Sequence, residues 1–373
     1  MILWNIKRMN KFYLSLLILM IISIITSCNS SSSSSSSSWQ STGNSFSAPD
    51  IAFNSIAVSS SGTVYVGGSA NVNNGLVLDN PTDSSNWQRV ANNYTPGYPG
   101  QIGALAVSST NTLLCAASNT IHSSTNSTLM CINPNESASV WQTITFFDDM
   151  LLGNNEIINS LAIDNTNTVY ATVEGNIYST PITGFVLPKK IGLGSAPDGG
   201  MMNTVLVESS TVYAAAGGYK IDSDGSPSYF GNVYSADSSG SHAWQQIGSM
   251  GTPDNGVANS IVLSGDKSNI YVATSKGNVY RSSVESGGAW SIALGGKAVP
   301  DDGAINSITI ANNGTVFVAT TLGNVYNLTQ DNHWQQIGGG TVPDNWSINA
   351  IAVYGTQLYV ATQGGHVYTI IFP

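Results

Sequence analysis

One pattern recurs seven times along the chain, and a period of this length restricts the fold more than any single motif. Its first element reads Asn54-Ser55-Ile56-Ala57-Val58, Gly103-Ala104-Leu105-Ala106-Val107, Asn159-Ser160-Leu161-Ala162-Ile163 and Asn203-Thr204-Val205-Leu206-Val207. It continues as Asn259-Ser260-Ile261-Val262-Leu263, Asn306-Ser307-Ile308-Thr309-Ile310 and Asn349-Ala350-Ile351-Ala352-Val353. From Ile56 to Ile351 the spacing averages about 49 residues, within the range of propeller blades. A second apolar run follows each, as in Thr63-Val64-Tyr65-Val66 and Ile270-Tyr271-Val272-Ala273. A third opens with glycine, as in Gly277-Asn278-Val279-Tyr280, and a fourth with Trp87, Trp141, Trp244, Trp290 or Trp334. Four short strands per repeat predict an all-β, seven-bladed β-propeller of four-stranded antiparallel blades. The seventh repeat stops after Gly365-His366-Val367-Tyr368, while Trp39-Gln40-Ser41-Thr42-Gly43 stands alone before the first. The N-terminal strand is therefore expected to complete the last blade and close the ring.

The domain plan is a signal peptide at 1–27, a tether at 28–38 and the propeller at 39–373. Lys7, Arg8 and Lys11 precede the apolar run Phe12 to Ile25, which is short enough to read as an export signal rather than a membrane span. Ile25-Thr26-Ser27-Cys28 resembles the bacterial lipobox, which implies lipidation of Cys28, and Asn29 after it favours the outer membrane of a Gram-negative envelope. The serine run Ser30 to Ser38 buries nothing and stays solvated, with a stretched reach of roughly 30 Å.

All 21 acidic residues follow the leader, whereas three of the 11 basic residues lie within it, so the exported part carries 21 − 8 = 13 net negative charges. No basic stripe is present to release counterions, which argues against nucleic-acid binding. The expected partner is an envelope protein or a glycan, bound by a monomer that meets the membrane only through its lipid.

Ser283-Val284-Glu285-Ser286-Gly287-Gly288-Ala289-Trp290 resembles the Asp-box hairpin of sialidase-type and sortilin-type propellers, and Ser235 to Trp244 is a looser copy. The rhythm of strands two and three is similar to that of the propeller lipoprotein of the barrel-assembly machinery. These likenesses imply architecture rather than activity. Sialidase chemistry would require an arginine triad, and Arg89 and Arg281 are the only arginines after the leader.

His122, His242, His333 and His366 lack zinc spacing, and no nucleophile elbow or phosphate loop is present. Pro-Asp recurs at Pro49-Asp50, Pro197-Asp198, Pro253-Asp254, Pro300-Asp301 and Pro343-Asp344. Repetition in five blades assigns these carboxylates to turns, since Pro fixes φ and Asp bonds its own loop. Asp222-Ser223-Asp224-Gly225 has calcium-like composition without further ligands at loop spacing. No catalytic set, cofactor or metal is expected.

Residues that depart from the repeat are the better functional candidates. They fall where loops from strand two to three and from strand four to the next blade share one face: Tyr94, Tyr98, Phe147, Asp148, Trp346, and Tyr219 and Tyr229 in an irregular loop from Gly217 to Phe230. Aromatics interleaved with Asp and Asn suit a glycan or an extended peptide. The alternative to a binding propeller is a glycoside hydrolase or lyase using carboxylates at the axial mouth. Cys115 and Cys131 are a disulfide candidate in blade two, although the aligned repeat places Cys115 opposite Met130 and calls for a bulge.

Overall fold

The computed structural model describes residues 38–43, 51–70, 75–81, 86–90, 100–119, 127–136, 139–144, 157–182, 188–248, 250–285 and 288–373. Cys28 and the serine tether lie outside these residues. Seven antiparallel sheets contain every strand of the described residues, and the one helical element among them is the short 3-10 turn Leu294–Gly296. Blade one is Ile51–Val58, Val64–Ala70, Gly75–Asn80 and Gln88–Arg89; blade two is Gln101–Val107, Leu114–Asn119, Thr128–Ile132 and Gln142–Ile144. Blade three is Ile158–Ile163, Thr168–Val173, Asn176–Pro181 and Lys189–Lys190; blade four is Met201–Glu208, Thr211–Ile221, Pro227–Asp237 and Gln245–Ile247. Blade five is Ala258–Leu263, Asn269–Thr274 and Val279–Ser283; blade six is Ile305–Ile310, Val316–Thr320, Val325–Leu328 and Trp334–Gln336. In blade five the fourth segment is reduced to Ser291, whose N–H donates to Arg281 O at 2.8 Å and whose Oγ accepts from Arg281 N at 3.0 Å.

Blade seven joins the two ends of the chain. Ile348–Tyr354, Gln357–Thr362 and Val367–Ile371 supply three strands, and Gln40–Ser41 supplies the fourth. Gln40 pairs with Thr369 and Ser41 with Tyr368, and Thr42 N donates to Val367 O at 3.2 Å. First strands of successive blades touch in chain order, and those of blades seven and one also touch, so the seven blades form a closed ring.

Second strands are buried almost throughout because both sheet faces are covered by neighbouring blades, which is why they read as Val/Ala runs without alternation. Ala116, Ala117, Ala214, Ala215, Ala216, Ala273, Ala319 and Ala361 are all fully buried. Their small side chains admit larger partners from the adjacent blade, as Ala214 and Ala216 of blade four pack with Tyr170 and Ile177 of blade three.

Every first strand slips register against its second strand at one place: at Asn54, Gly103, Asn203, Asn259, Asn306 and Asn349, and across Asn159-Ser160. A bulge lifts its residue out of the ladder and redirects the side chain. The freed asparagines reach across to the next blade. Nδ2 of Asn54, Asn159, Asn203, Asn259, Asn306 and Asn349 donates to the carbonyls of Ile102, Met202, Ala258, Ile305, Ile348 and Phe53, at 3.3, 3.5, 3.0, 3.0, 2.9 and 2.8 Å. The residue after the asparagine adds a second tie at five interfaces: Ser55, Ser160, Ser260 and Ser307 accept from N–H groups of the next blade, and Thr204 Oγ1 donates to Asn259 O at 2.6 Å.

Blade two has glycine at this position and still makes the bond. Asn119, at the end of its second strand, donates to Ile158 O at 2.9 Å and accepts from Ile158 N at 3.0 Å. A β-carbon on Gly103 would sit 2.5 Å from Asn119 Nδ2, so the amide occupies the space that an asparagine at 103 would need.

Tryptophans tie the outer strands in a similar way. The indoles of Trp244, Trp290, Trp334 and Trp39 lie against Gly192, Gly248, Gly295 and Gly338 of the preceding blade, each glycine at positive φ and leaving no room for a β-carbon. Nε1 of Trp244, Trp290 and Trp334 donates to Gly194 O, Met250 O and Leu294 O at 3.3, 3.0 and 3.0 Å. Trp39 thus occupies the same position as the tryptophans inside the repeats.

Two outcomes are expected from this arrangement. Asn119→Ala should destabilise the ring by about 1–3 kcal/mol, since it strands both buried backbone groups of Ile158. Gly103→Asn alone should also destabilise, whereas Gly103→Asn with Asn119→Ala should recover most of the loss in a denaturant-melting double-mutant cycle. Trp39→Ala should cost about 3 kcal/mol, at the low end for a large-to-small change because the ring is half-buried. A melting curve indistinguishable from wild type would show that the N-terminal strand does not hold blade seven.

Candidate functional site

Loops leading into blades four to seven carry the Pro-Asp pairs, and each carboxylate is consumed by its own blade. Asp254 Oδ1 accepts from Gly256 N at 2.8 Å, while Oδ2 accepts from Thr274 Oγ1 at 2.7 Å and Asn278 Nδ2 at 2.9 Å. Asp301 repeats the set with Gly303 N, Thr320 Oγ1 and Asn324 Nδ2 at 3.0, 2.7 and 2.7 Å. Asp198 bonds Gly200 N at 2.8 Å and Asn232 Nδ2 at 2.5 Å. In blade seven Asp344 bonds Trp346 N, Thr362 Oγ1 and His366 Nδ1 at 3.2, 2.6 and 3.0 Å. In blades five to seven these carboxylates pin the loop to the turn between strands two and three, and in blade four Asp198 pins it to the third strand at Asn232. They are structural. Pro49-Asp50 lies outside the described residues.

The tyrosine two residues after each of these Asn or His positions lies near the carboxylate. Burial, then the charge of Asp254, Asp301 or Asp344, pushes the Tyr280, Tyr326 and Tyr368 phenols up to about 12 from 10.0. Tyr234 is raised as well, by burial and then by Asp198.

The face carrying the Pro-Asp loops is also the apolar one. Among the described residues twelve large hydrophobic side chains are exposed, and nine of them (Ile157, Leu193, Met201, Tyr219, Ile221, Tyr229, Met250, Leu322 and Trp346) lie at this face. Val140 and Ile371 lie at the other, and Ile292 beside the outer edge of blade five.

Of the aromatic candidates, Tyr94, Tyr98, Phe147 and Asp148 lie outside the described residues. Tyr219 and Tyr229 are described, but the irregular loop expected around them is a regular hairpin: Thr211–Ile221 and Pro227–Asp237 pair without a break as far as Ile221 opposite Pro227. Asp222-Ser223-Asp224-Gly225 is its turn, with Gly225 N donating to Asp222 O at 2.9 Å and Asp224 Oδ1 accepting from Ser226 N at 2.9 Å. Tyr219 and Tyr229 are cross-strand partners with ring centroids 6.3 Å apart. By alternation they share the hairpin side of Gly217 and Gly231, which pack on Gly256, Val257 and Ala258 of blade five. They are 64% and 51% exposed, so the hairpin holds out an aromatic pair over blade five. Phe230 is on the other side, beneath Lys220 Nζ at 4.7 Å.

The opposite face is built from turns and a cleft. Asp237 receives the Ser239 hydroxyl, Ser241 and His242, and these bonds, the serine hydroxyl foremost, hold its carboxyl well below the usual range. His333 closes a turn with Thr329. Both histidines are turn residues. A cavity of about 440 Å³, which the repeat did not foreshadow, lies between blades two and three and is lined by Leu113, Cys131, Asn133, Glu136, Val140, Gln142 and Asn167 among others. Glu136 is the one charged residue lining it, and both its oxygens already accept, from Asn133 Nδ2 at 2.8 Å and Ser139 Oγ at 3.3 Å. Cys115 and Cys131 are direct partners in the strand register, with no bulge between them, and their sulfurs are bonded. Among the described residues no group of three potential metal ligands converges.

Residues 236–371 match the family model described as the DUF6242 beta propeller domain. No curated protein matches the sequence. Among solved structures the chain is similar to a catalytically inactive histidine variant of virginiamycin B lyase from Staphylococcus aureus with quinupristin, at TM-score 0.63 and 11% identity, covering 90% of this chain and 100% of that one. It is similar to the WD40 propeller domain of Doa1, at TM-score 0.61, 12% identity and coverage of 90% and 97%. YCF48 bound to D1 peptide gives the same four values. A lyase, a WD40 domain and a peptide-bound protein share this architecture, which carries no single activity.

Because the folded state favours neutral phenols, the stability contributed by Tyr280, Tyr326 and Tyr368 is fully present below pH 10 and is lost as pH rises toward about 12. Tyrosinate absorbance should show a class of phenols ionising late, together with a melting temperature that falls across the same interval. Complete ionisation near pH 10 in the folded protein would contradict the assignment.

Proposed function

We propose that this chain is a lipid-anchored propeller of the bacterial envelope that binds a protein or glycan ligand on its Pro-Asp face without catalysing a reaction there. The observation that carries this reading is the asymmetry of exposed apolar side chains, concentrated on one face of an otherwise polar ring. Exposed apolar side chains gathered at one face rather than spread over both support a place where something else binds. The recurrent carboxylates of that face are committed to loop structure, which supports recognition over acid–base chemistry. Gln40–Ser41 runs toward the Pro-Asp face, so the segment entering it does so from the opposite side. A lipid on Cys28 would tether this ring to the outer membrane.

The test is capture from an envelope extract by the full-length protein in detergent, compared across variants. Tyr219→Ala with Tyr229→Ala should weaken capture of the principal ligand about 5- to 30-fold, the effect of losing about 1–2 kcal/mol at an aromatic anchor, with little change in melting. Capture that survives this pair and Trp346→Ala, but fails with Glu285→Ala or His333→Ala, would move the working surface to the other face.

A further inference from the structure

Blade seven departs from the repeat at three positions that meet in space. The second residue after the Pro-Asp aspartate is Gly200, Gly256 and Gly303 in blades four to six, and Trp346 in blade seven. The residue before the third-strand glycine is Glu174, Lys276 and Leu322 in blades three, five and six, and Gly364 in blade seven. After that glycine come Asn176, Asn232, Asn278 and Asn324, but His366 in blade seven.

Asp344 holds the three together. Its Oδ1 accepts from Trp346 N at 3.2 Å and its Oδ2 from His366 Nδ1 at 3.0 Å. A β-carbon on Gly364 would collide with Trp346 Cδ1 and come within 2.8 Å of Asp344 Oδ2. Thus the side chain present at this position in the other blades has been removed where the indole lies. The cleared indole is nevertheless 53% exposed. Packing within the ring does not account for a glycine that accommodates a half-exposed tryptophan; a ligand lying on the indole does.

The imidazole is prepared as well. The Asp344 side chain is only 8% exposed and holds the His366 ring through Nδ1, on a side chain that is 32% exposed. Tyr368 stacks on that ring at 5.8 Å with a 20° interplanar angle and sets its plane. A flat apolar surface beside an oriented imidazole matches a neutral sugar ring, which offers an apolar C–H face and hydroxyl groups around its edge that can donate or accept. The Asp344 carboxylate and the acidic chain disfavour an anionic ligand.

We infer that Trp346, His366 and Asp344, with Gly364 giving the indole its place, form a saccharide subsite for a neutral pyranose. The inference rests on the Pro-Asp face being the binding face, and it selects a glycan over a protein as the ligand. Calorimetry and saturation-transfer NMR on the full-length protein in detergent, with cellohexaose, chitohexaose, mannohexaose and maltohexaose as probes, supply the test. At least one probe should bind, and Trp346→Ala should weaken it by about tenfold or more. Trp346→Gly with Gly364→Leu and His366→Asn, which makes the site like that of blade six, should abolish binding while leaving the melting temperature unchanged. The inference is overturned if none of the four binds at millimolar concentration, or if binding is indifferent to Trp346→Ala. Binding that persists in Trp346→Ala but is lost with Tyr219→Ala and Tyr229→Ala would reject this subsite and keep the face. Loss only with Glu285→Ala or His333→Ala would reject both.

Discussion

A side-chain amide bonded to the backbone of the next blade is the contact on which the ring depends. Blades packed only by Val and Ala could slide or splay, because apolar contact is non-directional. The amide bond fixes each first strand against its neighbour at one carbonyl, and the seven carbonyls occupy equivalent positions. It exists because the strand bulges there, and the bulge leaves the preceding carbonyl free to accept. Blade two shows that the bond matters more than the residue supplying it: the glycine at 103 is tolerated because Asn119 reaches the same acceptor from another strand.

The Pro-Asp loops follow a related logic at the rim. An aspartate that accepts from its own loop and from the facing Thr and Asn converts two adjacent turns into one rigid unit. A face built this way can carry exposed apolar side chains on defined backbone without relying on them for its own stability. Recognition surfaces benefit from such support, because a rigid platform loses less entropy when a ligand settles on it.

Much of this was legible in the sequence, for physical reasons. The seven repeats and the displaced tryptophan strand were visible because period and alternation are sequence properties. Compensation was harder to see: nothing near Gly103 announces that Asn119, sixteen residues later, would take over its bond. The hairpin carrying Tyr219 and Tyr229 looks irregular in the sequence because it exceeds the repeat, although Asp224-Gly225 is a recognised turn signal. Cys115 faces Cys131 rather than Met130 because alignment between blades does not fix pairing inside one. At the site, Trp346 stood out as a departure, but Gly364 and His366 did not, since they gain meaning only once Asp344 brings them beside it.

The two-residue strand that closes the ring is also the point where the N-terminal segment enters it. Thr42 and Val367 meet across 325 positions of chain, so the closing contact can form only after almost the whole polypeptide is available, and it carries the largest loop-closure cost in the fold. Any pull on the N-terminal segment is delivered to this short pairing before it reaches another strand. Under mechanical load the ring should therefore yield first at blade seven, the blade that also carries Trp346 and His366, so tension on the N-terminal segment and the integrity of that rim are coupled through a single latch.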